Sequence, residues 1–413
     1  MINLFKQNKM YRIYLLYYFF SAIGSAMFSM FILLSVHLLY ENPIYTGIAA
    51  FLMAAPRIVS IAVGPMIDRR NKIMIMRLTT LLEFLVLALL AFSPLLDSLG
   101  VLFMFAVIFV YNVAALFERP ASTALLPQIV PEEKILEANS LLEMVAMAGG
   151  IVIGSVLFIS LGGEVNFRLI FGISAAFLGL TFFFSLLLKS SVGSDAKENT
   201  KEASKPKYMA DLREGIKFIR GNILLYIIIA VIAMDMVGEI SYVNRPMFLE
   251  YHVGAQGYIV FTLMGLVGGI IGSYFAGRLG NKYRLGRFIF VLFLLAGIVR
   301  IIWALVVPVQ YIGGLVTIVL FLALMEVLGV FFTTLNQKIP PRNMVGRVNT
   351  ISTTCVSISV MIGALLGGFL GSVVPVVDHI FIYQGISYIV FGFLLMLVPS
   401  IRRLPKLNEI KTS

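Results

Sequence analysis

The chain has 413 residues, of which 60% are hydrophobic and only 13% charged, and its formal net charge is +11. A soluble domain is about half apolar and about a quarter charged, so this composition excludes an ordinary soluble globular protein. In a chain that crosses a membrane repeatedly, excess basic residues set the orientation. The positive charge therefore does not indicate a nucleic-acid partner.

Apolar runs of about 20 residues or more, long enough to cross a bilayer as a helix, recur along the whole chain. The short polar start has no small-residue cleavage site, so we interpret the first run as an uncleaved helix. Twelve runs are predicted as transmembrane helices: 13–40, 44–66, 73–96, 99–122, 138–161, 167–188, 222–249, 257–279, 287–307, 312–335, 348–372 and 380–400.

The basic residues give these twelve spans a direction. If the N-terminus is cytoplasmic, 28 of the 32 Lys and Arg residues fall in segments on the cytoplasmic side. Such a bias is the usual mark of orientation in multi-pass proteins. We therefore predict a multi-pass protein of the cell inner (cytoplasmic) membrane, with both termini in the cytoplasm and lipid around its spans.

One long polar segment, residues 189–221, separates the first six spans from the last six. Its first part is rich in Ser, Lys and Glu, which is typical of a flexible linker. Its second part, residues 211–220, alternates charged and apolar residues at helical spacing, which predicts an amphipathic helix on the inner membrane surface. The predicted domains are an N-terminal half (1–188), this cytoplasmic linker (189–221), and a C-terminal half with its cytoplasmic tail (222–413).

The two halves share polar landmarks in the same order, at an offset of about 210 residues, as in transporters built from parallel repeats. The matches pair residues 64–69 with 277–282, Gln128 and Pro131 with Gln337 and Pro340, Asn139 with Asn349, and Gly150 and Gly154 with Gly363 and Gly367. The fold class predicted from these features is an all-α membrane protein, with twelve transmembrane helices in two pseudo-symmetric six-helix halves.

The loop after the second span, Gly64-x-x-x-Asp68-Arg69, resembles the signature loop of the major facilitator superfamily. Asn71 stands where that family prefers Gly, and Ile73 where it prefers a base. The stretches 119–121, 125–133, 137–141 and 211–215 resemble the branch of enterobactin exporters and macrolide-efflux proteins. This resemblance covers the whole chain and implies the twelve-helix facilitator fold.

The resemblance also implies gating roles. Asp68 would cap the eleventh span and interact with its dipole, and Arg69 would pair with an acid near the fourth span, for which Glu118 is the candidate. The alternative is a solvated basic turn that only sets topology. The glycine-rich antiporter pattern of the fifth span is present only in part, since the family's proline is absent, so antiport does not follow from that motif.

Charged residues inside spans are costly and usually functional, and two acids on the seventh span are the strongest candidates. Asp235 and Glu239 are four residues apart and therefore share one helix face, near the middle of the membrane. Two like charges so close in a medium of low dielectric do not ionise together readily, so we expect one to carry a proton. We predict that this pair couples protons or binds a cationic substrate group. The alternative is a fixed ion pair with Arg57 or Arg245.

Four further charged residues lie inside predicted spans, and the position of each span in the fold indicates their role. Glu326 and Glu143 lie on spans that form the cavity in facilitator folds, and we predict that they support proton coupling. Glu83 and Arg300 lie on spans three and nine, which are peripheral in that fold. For these two, a structural pairing is favoured over substrate contact.

Two more residues are predicted to contact substrate. Arg57 follows Pro56 within the second span and is the main candidate for binding an anionic substrate group, but the alternatives that it reaches the inner surface or pairs with an acid stay open. Tyr242 shares the polar seventh span with the two acids and is predicted to face the substrate.

Several other classes of function have no support in the sequence. There is no phosphate-binding loop with a Gly-Lys-Ser/Thr ending, which excludes direct drive by ATP. No His, Cys and carboxylate residues have the spacing of a metal site, and no nucleophile motif is visible. We predict that the protein is no enzyme and uses no metal and no cofactor.

These features together predict a secondary active transporter that works as a monomer and exports an amphiphilic small molecule by alternating access. Proton-coupled antiport is expected, with a drug or a siderophore or other metallophore as the substrate. The alternative is a non-transporting sensor or assembly protein that retains the facilitator fold.

Overall fold

The structure is a computed structural model. It describes residues 8–59, 63, 67, 70–93, 98–131, 138, 141–142, 144–145, 149, 155, 166–189, 208–341, 344–374 and 376–410. Two of the predicted segments, the fifth span (138–161) and the first part of the linker, lie largely or wholly outside these residues.

The N-terminal part consists of long apolar helices, several of which begin at an asparagine. They are α1 (Lys9–Tyr40), α2 (Pro43–Ala54, followed by a 3-10 turn, Ala55–Val59), α3 (Lys72–Phe92), α4 (Val101–Ile129) and α5 (Phe167–Leu187). The side chains of Asn8, Asn71 and Asn166 accept hydrogen bonds from backbone N–H groups three residues later, at 2.9, 3.2 and 3.1 Å. These caps satisfy donors that a helix start leaves unpaired.

The C-terminal part begins with a short amphipathic helix and continues with long apolar ones. They are α6 (Tyr208–Arg220), α7 (Leu224–Lys282), α8 (Leu285–Val306), α9 (Tyr311–Lys338), α10 (Val345–Val373) and α11 (Asp378–Leu397). Gly254 breaks α7 with φ 74° and ψ 170°, a backbone conformation that favours glycine. We call the two segments α7a (224–253) and α7b (255–282); they correspond to the predicted seventh and eighth spans.

Within the described ranges, nine helices are long and apolar enough to cross a membrane, with the two segments of α7 counted as one. Boundaries differ most from the prediction at the second and fourth spans. The α-helix of the second span ends at Ala54 and becomes a 3-10 turn around Pro56, because proline removes a backbone donor and disfavours α conformation in the preceding residue. Helix α4 runs seven residues further than predicted, to Ile129.

The chain divides into two compact units, Met1–Glu41 with Leu52–Ala203 and Asn42–Phe51 with Ser204–Ser413. In the first unit, α1 presents buried tyrosines to α4 and to Ala138. The hydroxyl of Tyr11 donates to the carbonyl of Ala138 at 3.0 Å, and that of Tyr14 to the carbonyl of Ser122 at 2.9 Å. The core of this unit is therefore partly polar, and these two buried hydroxyls are matched to acceptors.

The second unit has an aromatic core in which Phe248, Trp303 and Phe381 pack together, with ring centroids 4.6–5.3 Å apart. His252, near the end of α7a, and Asp378, at the start of α11, are in hydrogen-bond contact, with His252 Nε2 and Asp378 Oδ1 2.9 Å apart. Both features join α7a to α11, and the rings also join it to α8.

The amphipathic helix predicted over residues 211–220 is present as α6. Gly215 and Ile219 are buried, whereas Glu214 and Lys217 on the same helix are exposed. Glu214 forms an ion pair with Arg347 at the beginning of α10. Its position on the inner membrane surface stays a prediction.

Candidate functional site

A cavity of about 260 Å³ lies within the second unit, and the polar face of α7a forms one of its walls. Asp235, Glu239 and Tyr242 all contribute to this wall. The three residues are spaced by four and three, the separation that places side chains on one face of a helix. The structure therefore brings together the acid pair and the tyrosine that the sequence singled out on this span.

The remaining walls come from α8 to α11 and combine apolar side chains with a few polar ones. This composition is typical of a small-molecule site, in which a small number of polar groups orient the ligand. The full lining is Met234, Asp235, Gly238, Glu239, Tyr242, Arg245, Arg300, Ile318, Phe321, Leu322, Met325, Val360, Gln384 and Tyr388.

Two glycines of α10 allow α7a to approach closely behind its acidic face. A Cβ atom at Gly363 would lie 2.5 Å from the carbonyl oxygen of Met236 and 3.0 Å from the Cβ of Glu239. At Gly367 it would lie 3.0 Å from the Cα of Ile240. The predicted Gly-x-x-x-Gly pair of the eleventh span thus sets the position of the helix that carries the two acids.

A second close crossing, between α8 and α11, places the polar residues of the opposite wall. A Cβ at Gly297 would lie 2.4 Å from the carbonyl oxygen of Gly385, and one at Gly385 would lie 2.6 Å from the carbonyl oxygen of Gly297. One turn further along α8, Arg300 meets Gln384 of α11. The Arg300 Nε donates to the Gln384 Oε1 at 2.6 Å.

Arg300 is 4% exposed and its charge is held among aromatic rings. Its guanidinium carbon lies 4.3, 4.7 and 4.8 Å from the ring centroids of Trp303, Phe321 and Phe381. Such cation–π contacts stabilise a desolvated guanidinium that has few polar neighbours. The terminal nitrogens of Arg300 donate no hydrogen bond within the part of the chain that the structure describes.

A short chain of hydrogen bonds leads from Arg300 toward Asp235. The Gln384 Nε2 donates to the Tyr388 hydroxyl at 3.0 Å, and that hydroxyl donates to the carbonyl oxygen of Met234 at 3.5 Å. Asp235 lies near enough to Tyr388 for the two groups to interact electrostatically. Its carboxylate makes no hydrogen bond or ion pair with another described residue.

The other arginine of the cavity, Arg245, faces tyrosines and an acid. Its guanidinium carbon lies 4.9 Å from the ring centroid of Tyr242 and 5.5 Å from that of Tyr258. Glu239 is close enough to interact with its charge. The Arg245 Nε is buried and has no hydrogen-bond partner among the described residues.

Glu326, predicted to support the acid pair, does not line this cavity. Its carboxylate accepts a hydrogen bond from the Ser273 hydroxyl of α7b at 2.9 Å, and its Cβ lies beside Gly272. Glu326 therefore sits at the crossing of α7b and α9, apart from Asp235 and Glu239.

In the first unit, the predicted gating acid Glu118 accepts a hydrogen bond from the Tyr17 hydroxyl of α1. Glu83 of α3 is 2% exposed and close enough to Glu118 for their charges to interact. Arg57 belongs to the 3-10 turn after α2 and is exposed. The predicted residues Asp68, Arg69 and Glu143 lie outside the described residues.

Sequence reasoning missed the wall that faces the acid pair. Arg300 was assigned to a peripheral span and a structural pairing; it does pair with Gln384, but it also lines the cavity. Gln384 and Tyr388 were not singled out, although a Gln and a Tyr four residues apart in an apolar run share a helix face. Within the described ranges there is no group of three or more His, Cys, Asp or Glu residues suited to a metal.

The family model described as Major Facilitator Superfamily matches residues 14–355. The chain belongs to the Major Facilitator Superfamily. It is therefore a multi-pass membrane transporter and not an enzyme, and the predicted all-α, twelve-helix fold in two halves is confirmed. Transporters of this family bind small-molecule substrates.

Among curated proteins, the chain is similar to "Putative bacilysin exporter BacE" of Bacillus subtilis (strain 168). The two are 24% identical over 335 residues, which cover 78% of this chain and 80% of the relative. The relative's name supports efflux as the direction of transport, whereas its substrate is a property of that protein.

Solved structures share the fold at low sequence identity. The nucleoside transporter NupG has a TM-score of 0.72 at 12% identity, covering 94% of this chain and 98% of NupG. A D-xylose-proton symporter has a TM-score of 0.70 at 12% identity, covering 98% of this chain and 99% of the symporter. These similarities establish the facilitator fold.

Proposed function

We propose that this protein is a secondary active exporter that moves an amphiphilic small molecule by alternating access, in exchange for protons. The observation that carries the proposal is the acid pair of α7a in the wall of a cavity, where Asp235 has no hydrogen-bonding partner among the described residues. A carboxylate in such a place can take a proton from one side of the membrane and release it on the other, which is the chemistry of proton relays in transporters.

Export is supported by the name of the BacE relatives, and bacilysin is accordingly one substrate to test. Drugs and metallophores are further candidates for an exporter with a cavity of mixed charge. Glu326 and Glu143 are proposed as supporting acids, Arg57 and Tyr242 as substrate contacts, and Asp68, Arg69 and Glu118 as gating residues.

The location proposed is the cytoplasmic membrane, with both termini in the cytoplasm and the protein acting as a monomer. The two six-span halves, 1–188 and 222–413, would be joined by the linker 189–221. The bias of basic residues supports this orientation.

Transport into inverted membrane vesicles tests the proposal. Acidifying the vesicle lumen should drive accumulation of bacilysin or of a cationic dye such as ethidium, and adding substrate should release protons from the lumen. Asp235→Asn and Glu239→Gln should each lose accumulation driven by the proton gradient but retain exchange of labelled for unlabelled substrate. Glu409→Gln, which removes an exposed carboxylate of the same unit outside the cavity, serves as the matched control.

If Asp235→Asn and Glu239→Gln both accumulate substrate to the wild-type level under the proton gradient, the proposed proton coupling is wrong. The alternative, a non-transporting sensor with this fold, predicts no flux of any substrate while binding persists.

A further inference from the structure

The cavity of the second unit contains charges of both signs, which a purely cationic or purely anionic ligand would not match. Asp235 and Glu239 come from α7a, and Arg245 and Arg300 from α7a and α8. Burial of a charge is costly unless an opposite charge or a hydrogen bond compensates it. The ligand that fits best is therefore one that compensates whichever of these charges lack partners within the protein.

Two of the four charges, Glu239 and Arg245, have neighbours within the protein. Glu239 is close enough to Arg245 for their charges to interact, and both lie in the half of α7a beyond Asp235. The Arg245 guanidinium is also covered by the rings of Tyr242 and Tyr258. The Arg245 guanidinium is thus compensated mainly by tyrosines, although its Nε keeps an unused donor.

The other two charges are not matched to each other. Arg300 uses only its Nε for a hydrogen bond, to Gln384, while three aromatic rings surround the guanidinium. Its terminal nitrogens, which donate to no described residue, form the planar edge that binds carboxylates with two parallel hydrogen bonds. Asp235 offers a carboxylate that makes no hydrogen bond within the described ranges.

Gln384 and Tyr388 connect these two groups through hydrogen bonds and a close approach. Arg300 bonds to Gln384, Gln384 to Tyr388, and Tyr388 lies beside Asp235. A candidate anion site and a candidate cation site therefore line one cavity, together with the neutral hydrogen-bonding groups Gln384 and Tyr388.

The size of the cavity is compatible with a small ligand. Pockets for drug-sized molecules span about 300–1,000 Å³, whereas this cavity measures about 260 Å³. The apolar part of its lining, including Met234, Ile318 and Phe321, suits a short hydrocarbon side chain.

We infer that this cavity binds a small zwitterion of the amino-acid or dipeptide class, with the ligand's ammonium at Asp235 and its carboxylate at Arg300. This inference names the substrate class of the site described under the proposed function and rests on that proposal for transport, but binding itself is testable separately. A single cation would leave Arg300 without an anion, and a single anion would leave Asp235 without a cation.

Ligand binding to the full-length wild-type protein in nanodiscs is the first test, because it needs no variant. The probes are L-alanine, L-alanyl-L-alanine and L-phenylalanyl-L-alanine, each compared with its N-acetyl derivative and its C-terminal amide by isothermal titration calorimetry. At least one parent zwitterion should bind, and removing either charge should weaken binding about tenfold or more. Equal binding of a zwitterion and both blocked forms overturns the inference, as does no binding by any parent up to about 10 mM.

Two cavity variants then assign the charges. Asp235→Asn should bind the N-acetyl derivative as tightly as it binds the parent zwitterion, while still rejecting the amide. Arg300→Gln should accept the amide but still reject the N-acetyl form. Matched controls are Glu409→Gln and Arg278→Gln. Glu409 is exposed near the C-terminal end of the described residues, and Arg278 is exposed on α7b, stacked on Tyr274.

If Asp235→Asn instead accepts the amide and Arg300→Gln instead accepts the N-acetyl derivative, the zwitterion binds in the reverse orientation. That result would overturn the assignment. If Arg300→Gln fails to fold, Arg300→Lys keeps the charge without the planar edge and should weaken binding of the parent. If Arg300→Lys binds the parent zwitterion as tightly as the wild-type protein does, the proposed carboxylate contact is wrong.

Failure of this inference and failure of the proposed function give different results. Gradient-driven accumulation of ethidium without zwitterion binding leaves the exporter proposal standing and rejects the zwitterion. Selective zwitterion binding without any flux in vesicles leaves the binding inference standing and rejects the exporter proposal.

Discussion

At the scale of single residues, the cavity shows how an arginine can be buried in a membrane protein without an acid beside it. Arg300 exchanges its hydration for three aromatic faces and one amide oxygen. The energy of such contacts grows when the group is desolvated. Asp235 has no comparable compensation from the described residues, which is why it is the stronger candidate for a group that changes its protonation during transport.

Tyr388→Phe tests the link between these two residues. The substitution removes the hydroxyl that accepts from Gln384 and donates to the Met234 carbonyl, so a buried donor loses its acceptor. We expect the free energy of unfolding to fall by about 1–3 kcal/mol. Thermal unfolding of the purified protein in detergent measures this.

The control for this variant is Tyr274→Phe, because Tyr274 is 58% exposed. It should leave the unfolding temperature unchanged. An unchanged unfolding temperature for Tyr388→Phe as well would mean that the hydrogen-bond chain does not stabilise the unit.

At the scale of elements, glycine-lined crossings determine where the functional side chains lie. The α7a–α10 crossing at Gly363 and Gly367 positions the acids, and the α8–α11 crossing at Gly297 and Gly385 positions Arg300 beside Gln384. Helices approach this closely only where one of them lacks side chains. The polar chemistry of the cavity thus depends on residues that carry no polar group.

Gly363→Ala tests this dependence. The added methyl would lie 2.5 Å from the Met236 carbonyl oxygen, so α7a has to move away. Overpacking of this kind costs about 1–3 kcal/mol, and we expect transport to fall further than stability because Glu239 moves with the helix. Unfolding temperature and vesicle uptake are the two measurements.

Gly346→Ala is the matched control on the same helix, since a Cβ there meets nothing within 4 Å. It should leave stability the same or slightly higher, because alanine favours the helix over glycine. Equal effects of the two substitutions would show that the crossing does not position the acids.

Gly254 offers a second test at this scale, because it breaks α7 with φ 74°. Although a Cβ there meets nothing within 4 Å, an alanine would be strained in this conformation, at a cost of about 1–3 kcal/mol. We expect Gly254→Ala to lower the unfolding temperature. A gain in stability would instead mean that α7 can continue unbroken through this position.

At the scale of the whole molecule, the bias of basic residues predicts which side each loop faces. A reporter fused after Val309, between α8 and α9, lies in a predicted outer loop, and one fused after Lys189 lies at the predicted cytoplasmic linker. Alkaline phosphatase, which is active only outside the cytoplasm, should be active at the first site and inactive at the second. The opposite pattern would invert the proposed orientation.

The control for orientation is green fluorescent protein at the C-terminus, which should fluoresce because the tail is predicted to be cytoplasmic. Moving basic residues from the tail to the outer loop should shift the pattern, since the positive charge of short loops sets orientation.

Much of the fold was predictable because membrane insertion follows local composition. Apolar runs predict transmembrane helices, and eleven of the twelve predicted spans overlap helices among the described residues. The end of the second span was less predictable, since Pro56 changes the helix type within an apolar run.

The sequence by itself determined the twelve spans, the family resemblance and the acidic face of α7a, because hydropathy and helical spacing are local properties. Only the tertiary structure decided which charges share a cavity. Arg300 and Gln384 are 84 residues apart, and they meet because two glycines let α8 and α11 cross closely. Glu326 remains apart because α9 turns it toward Ser273. Such partnerships depend on helix packing, which no local pattern along the chain encodes.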